Sequence, residues 1–209
     1  MNHIVLLGDS VFDNAAYVAG GPDVVRQLRG ILPSGWRATL NALDGAVIAD
    51  IAGQLRNLPA DASHLVISAG GNDALGEAHL LDQGVRSMAE ALELLSSVRE
   101  RFRAAYAAML EELLKCRLPT AVCTIYEPRF PEPTQRRLAA TALTVLNEAI
   151  TREAIARGLD CIDLRVLCDQ EADFANPIEP SVHGGAKIAR AILALAANGA
   201  SVSSRVIAR

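Results

Sequence analysis

Short apolar runs alternate along the chain with longer stretches in which apolar residues recur every three or four positions. Brief continuous runs suit strands buried on both faces, whereas the three- and four-residue spacing gives a helix one apolar face. The pattern predicts five strands, near 3–7, 37–43, 64–68, 120–125 and 160–164, several of them ending at Gly, Asp or Ser. It predicts helices over 23–31, 49–58, 84–116, 133–157 and 184–197. The stretch 86–115 is long for one globular helix, and Ser96-Ser97 marks an expected bend or break within it. Strands and helices alternating in this way build a mostly parallel sheet with crossover helices on both faces, an α/β sandwich of three layers. Ligands in such sheets bind outside the carboxyl ends of the strands, so the loops after strands are where chemistry is expected.

Composition narrows the picture. With 209 residues, 51% apolar and 21% charged, the chain is long enough to bury a core without metals or disulfides. No composition shift, repeat or low-complexity tract divides it, so one domain over 1–209 is expected. A net charge of −4 offers no dense basic face for a run of phosphates. That argues against nucleic acid or an anionic membrane as partner and for a small organic substrate. Cys116, Cys123, Cys161 and Cys168 lack both the close pairing and the paired histidines of a zinc site, so no metal is expected and they read as reduced packing residues. The apolar run Ile4 to Leu7 has no basic lead or cleavage site, and no apolar run approaches the roughly 20 residues that span a bilayer. The cytoplasm is the expected address.

Three predicted strand ends carry candidate chemistry. Gly8-Asp9-Ser10 follows the first, Asp44-Gly45-Ala46 the second, and Ala69-Gly70-Gly71-Asn72-Asp73 the third. A glycine permits the sharp turn that leaves a serine at the carboxyl edge of the sheet, where a nucleophile belongs. Acyl transfer also needs donors aimed at the developing oxyanion, and a glycine N–H and an asparagine amide are suited to that. Each residue has a plain structural alternative: Ser10 as a helix N-cap, Gly45 as a turn glycine, Asn72 as the holder of an Asx turn. Asp9, Asp13 and Asp73 read as acceptors that brace loops.

In this order, and together with Glu179-Pro180-Ser181, these blocks resemble the SGNH (GDSL-type) hydrolase family over nearly the whole chain. The resemblance implies a flavodoxin-like three-layer αβα sandwich with a five-stranded parallel sheet in the order 2-1-3-4-5. It implies an acyl-ester hydrolase, of esterase, lipase or thioesterase type, working through an acyl-serine intermediate on a small-molecule acyl substrate, without metal or organic cofactor. Ser10 is then the nucleophile, and the Ser10 N–H, the Gly45 N–H and the Asn72 amide form the oxyanion hole.

The last block departs from the family pattern. Members carry D-x-x-H ahead of a proline and a glycine, and here Pro180 and Gly184 fix the register, which puts Asn176 in the acid slot and Glu179 in the histidine slot. Asparagine has no charge to offer an imidazolium, and a glutamate at its ordinary pKa of about 4.3 is a poor base toward a serine hydroxyl. His183 lies four residues after Glu179, and a helix beginning at Pro180 puts the two on one face. On that reading His183 takes the proton from Ser10, and Glu179 or a loop aspartate orients the imidazole. Glu179 and His79 are the other candidates for the base. The alternative for the whole chain is a non-catalytic SGNH-fold protein that binds an acylated or carboxylated ligand. Aromatic residues at 4% offer no platform for sugar, and short acyl groups are the expected substrates.

Overall fold

The computed structural model describes residues 2–197 and 205–208. Its centre is a parallel sheet of six strands, β1 (His3–Gly8), β2 (Arg37–Leu40), β3 (His64–Ser68), β4 (Thr120–Cys123), β5 (Asp160–Ile162) and β6 (Val206–Ile207). They lie side by side in the order β2-β1-β3-β4-β5-β6, so the first five stand where the resemblance puts them. The sixth is an addition to the expected five, with Val206 opposite Cys161 and Ile207 opposite Ile162. Two residues carry no periodicity to read. What holds them is backbone pairing: the Cys161 N–H donates to Arg205 at 2.7 Å and the Asp163 N–H to Ile207 at 2.8 Å.

The helices are α1 (Val24–Ile31), α2 (Ile51–Leu55), α3 (Gly71–Gly76), α4 (Met88–Leu114), α5 (Pro133–Ala156), α6 (Leu164–Leu167) and α7 (Val182–Ala197). Successive strand residues point to opposite faces of the sheet. Ile4 and Leu6 of β1, Val66 of β3 and Ile162 of β5 therefore pack under α1 and α7. Val5, Leu7, Leu65, Ile67 and Val122 pack on the other side under α2, α4 and α5. Both faces are covered at the centre of the sheet, which is why β1, β3 and β4 read as nearly unbroken apolar runs rather than alternating ones, whereas the edge strand β2 is buried only at Ala38.

Helix α4 runs unbroken through Ser96-Ser97, so the expected break is absent there. The Ser97 hydroxyl donates to the Glu93 carbonyl at 3.0 Å, so the serine is satisfied by the preceding turn without interrupting the helix. The four cysteines are free thiols, and all but Cys116 are buried.

One mismatch of length positions the site. Helices α4 and α5 have 27 and 24 residues, which at 1.5 Å per residue makes them about 40 and 36 Å long. Strand β3 has five residues, a rise of about 17 Å. Both helices start from the carboxyl edge of the sheet and run back along it, so their N-terminal portions overhang that edge. Burial records the overhang: the first buried residue of α4 is Val98 and that of α5 is Leu143. Beyond Val98 the two helices are lashed by Arg99–Glu148 at 2.6 Å, Arg103–Glu153 at 2.5 Å and Arg157–Glu111 at 2.8 Å. Before it, a cleft of about 1020 Å³ opens between them over the strand ends.

Candidate active site

The turn after β1 is built around Gly8. Its φ is 129°, and a Cβ there would lie 1.8 Å from the Ser68 carbonyl oxygen, so only glycine fits. Buried Gln54 of α2 grips both backbone groups of Gly8, accepting its N–H at 2.7 Å and donating to its carbonyl at 2.8 Å. Asp9 then closes the turn, with Oδ1 accepting the Val11 N–H at 3.1 Å. Ser10 is left at the carboxyl edge, buried to within 8%. It caps no helix: α1 begins at Val24 and is capped by Asp23, which accepts from the Arg26 N–H at 2.7 Å.

The loops after β2 and β3 are tied to this turn. Gly45 has a φ of 78° as third residue of a turn closed by the Ala46 N–H on the Leu43 carbonyl at 3.1 Å. Asp13 accepts the Asp44 N–H and Asp73 the Ile48 N–H, each at 3.0 Å, so both brace loops as their positions suggested. Asn72, near the start of α3, donates one amide hydrogen to the Ala46 carbonyl at 2.9 Å and keeps the other. Among the described residues, no acceptor takes the Ser10 or Gly45 N–H.

Glu179 is brought in from the loop before α7. Asn176 Oδ1 accepts the N–H groups of Ile178 and Glu179, both at 2.9 Å, and the Glu179 carbonyl accepts from the Ala175 N–H at 2.9 Å. The Tyr126 hydroxyl donates to the Ile178 carbonyl at 2.5 Å, and Asn14 donates to the Pro180 carbonyl at 3.0 Å while accepting the Val24 N–H. The residue in the family's acid slot thus fixes backbone. It does so by accepting hydrogen bonds, a role asparagine fills as well as aspartate. The Glu179 carboxyl ends beside Ser10, 4% exposed, with Oε2 lacking a hydrogen-bond partner among the described residues. Burial raises its pKa to about 7; hydrogen bonding with the Ser10 side chain opposes the shift and the Asp44 charge adds to it. Burial also lifts Asp9 to about 7, against the hydrogen bonds it accepts from the Val11 N–H and the Ser68 side chain.

The histidines stand elsewhere. Helix α7 begins at Val182 rather than Pro180, because Ser181 is its N-cap, accepting the N–H groups of His183 at 3.1 Å and Gly184 at 3.2 Å. Glu179 therefore lies outside the helix and shares no helical face with His183. The His183 imidazole is 60% exposed and turns Nε2 toward buried Asp173 at 3.6 Å. His79 is exposed in the cleft wall, with Nδ1 3.1 Å from the Gly76 carbonyl. Ser10, Asn72 and Glu179 line the cleft together, Gly45 sits one residue from the Asn72 amide's acceptor, and His183 is outside it. Among the described residues no three His, Cys, Asp or Glu side chains gather as metal ligands, and no helix is long and apolar enough to cross a membrane.

Two positioning residues escaped the sequence reading. Gln54 is one, and Asn147 of α5 is the other: it accepts the Ile125 N–H and donates to the Ile125 carbonyl, both at 2.8 Å. Each is a lone amide buried on the apolar face of its helix, gripping backbone at a strand end as a further strand would. Such an amide among leucines and isoleucines is the available signal.

Among solved structures, this fold is similar to that of an extracellular lipase from Streptomyces rimosus, at 16% identity and a TM-score of 0.67, covering 96% of this chain and all of that one. It is similar to a lipase from a goat rumen metagenome, at 18% identity and a TM-score of 0.70, covering 93% and 97%. It is also similar to an acetyl xylan esterase from Geobacillus stearothermophilus, at 17% and 0.58, covering 93% and 94%. No curated protein matches the sequence. At these identities the likeness is one of fold, whereas the family model for GDSL-like lipases and acylhydrolases matches residues 6–191, from β1 through most of α7. With the glycine-led serine turn and the Asn72 block inside that span, the chain belongs to the GDSL-like lipase/acylhydrolase family.

Proposed function

We propose that this chain hydrolyses acyl esters through an acyl-serine intermediate, with Ser10 as nucleophile and Glu179, not His183, as general base. The observation that carries the reading is the buried Glu179 carboxyl beside Ser10 with its pKa raised to about 7. The objection to a glutamate base was its low pKa, and burial removes it: a base titrating near neutrality accepts a serine proton at working pH.

The steps follow. The Glu179 carboxylate takes the Ser10 hydroxyl proton as Oγ bonds to the carbonyl carbon, and the carbonyl π electrons move onto oxygen. The Ser10 N–H, the Gly45 N–H and the spare Asn72 N–H stabilise that oxyanion, two of these donors being free of protein acceptors among the described residues. Collapse expels the alkoxide, which takes the proton back from Glu179 and leaves as alcohol. Water then repeats the cycle on the acyl-serine, giving carboxylic acid and free Ser10. The same attack cleaves a thioester, and no step draws on a metal or organic cofactor.

The second reading is a non-catalytic binder of acylated ligands, favoured by the position of His183 outside the cleft and of His79 in its exposed wall. Hydrolysis of p-nitrophenyl butanoate by the wild type and its loss in Ser10→Ala supports the enzyme. Equal rates in the two proteins, or no turnover by either, overturns it.

A further inference from the structure

We infer that the cleft between the overhanging ends of α4 and α5 holds a long unbranched acyl chain, and that Leu95 and Leu138 set the length accepted. The inference rests on the reading of Ser10 as the residue that bears the acyl group. Ser10 and Asn72 fix the carbonyl at the inner end of the cleft, and the apolar space continuous with that end lies between the two helices. Leu95 of α4 and Leu138, Ala142 and Leu146 of α5 line it. A volume of about 1020 Å³ is at the upper end of small-molecule sites. A butanoyl group leaves most of it as water against aliphatic walls, which is unfavourable.

The rim points the same way. Of the twelve large apolar side chains that are exposed among the described residues, six line this one cleft: Leu75, Leu81, Val85, Met88, Leu92 and Leu138. Apolar side chains exposed singly are ordinary, whereas a cluster around a concavity marks a binding surface. The leucine and alanine part of the wall offers no hydrogen-bond partners to a sugar or glycerol moiety, so the polar alcohol suits the solvent-exposed part of the lining, where Asp82, Gln83, Glu132, Thr134, Gln135 and Thr141 stand. The low aromatic content that suggested short acyl groups carries no weight here, because an aliphatic wall serves a saturated chain as well as a ring does.

The test is a chain-length series of p-nitrophenyl acetate, butanoate, octanoate and dodecanoate, each kept below its micelle concentration. Each buried methylene adds up to about fourfold to kcat/KM. The expected result is an octanoate-to-butanoate ratio above about tenfold, with Leu95→Trp and Leu138→Trp each lowering the dodecanoate-to-butanoate ratio by about tenfold or more. Calorimetry of dodecanoate with Ser10→Ala reads the cleft without turnover: binding is expected, and its loss in the Leu95→Trp background supports the placement. A flat chain-length series with no dodecanoate binding, in a protein whose Ser10 still reacts with a fluorophosphonate, overturns this inference and leaves the catalytic reading standing. Dodecanoate binding that Leu95→Trp abolishes, in a protein inert toward every ester and the fluorophosphonate, supports the cleft's ligand and overturns the catalytic reading.

Discussion

Glu179 faces Ser10 from a loop that Asn14, Asn176 and Tyr126 hold in place, and its burial there lifts its pKa to about 7. The carboxylate is the form that accepts a proton, so kcat/KM should fall as pH drops below about 7, approaching tenfold per unit. Glu179→Gln should remove that limb and lower kcat by about 10²–10⁴-fold. A pH profile that keeps its acid limb in Glu179→Gln assigns the limb to another group.

In the proposed mechanism the second amide hydrogen of Asn72 meets an oxyanion that exists only after attack. Asn72→Ala should therefore lower kcat by about 10²–10³-fold and change KM little. Steady-state kinetics at saturating ester separates the two parameters, and a loss confined to KM makes Asn72 a residue that positions substrate.

Asn176 acts as an acceptor toward two backbone N–H groups, so the charge of its replacement matters less than the acceptor itself. Asn176→Ala should destabilise the protein by about 1–3 kcal/mol and lower kcat, because the Glu179 backbone is released. Asn176→Asp keeps the acceptor and should recover most of the stability in urea unfolding. Equal losses in the two variants contradict this role.

The raised pKa of Glu179 also has a thermodynamic signature. Its folded value of about 7 lies above the unfolded value of about 4.3, so between them the native chain keeps a proton that the unfolded chain has released. Its contribution to stability is therefore lost as pH rises from about 4 to 7, and Asp9 adds a contribution of the same sign. Glu179→Gln should be more stable than the wild type at pH 8, by roughly 1–2 kcal/mol, with the difference shrinking toward pH 5. Urea unfolding at the two pH values checks it, and a variant less stable at pH 8 contradicts it.

Strands β1, β3 and β4 were legible because each is a nearly continuous buried apolar run, and the half-exposed edge strand β2 was legible only as part of the alternation. The positions of Ser10, Gly45 and Asn72 at the carboxyl edge were legible because glycine-rich turns punctuate strand ends. The sixth strand was not, since two residues make no pattern. The periodicity starts α7 two residues late, at 184, and proline's liking for a first helical turn starts it two residues early, at Pro180, because neither weighs Ser181, whose hydroxyl captures the His183 and Gly184 N–H groups. The early start put Glu179 and His183 on one face and made a displaced histidine attractive. The objection to Glu179 came from its solution pKa, and burial beside Ser10 is a tertiary property that no local spacing encodes. The overhang of α4 and α5 was within reach, since the predicted helices were already far longer than the strands they cover.

The central claim is that Glu179 activates Ser10, and the rate of fluorophosphonate labelling, with the modified residue mapped by mass spectrometry, tests it most directly. The account predicts labelling at Ser10 in the wild type at pH 8, a similar rate in His183→Ala, and a rate about 10²-fold or more lower in Glu179→Gln. Undiminished labelling of Ser10 in Glu179→Gln, or its loss in a folded His183→Ala, would contradict it.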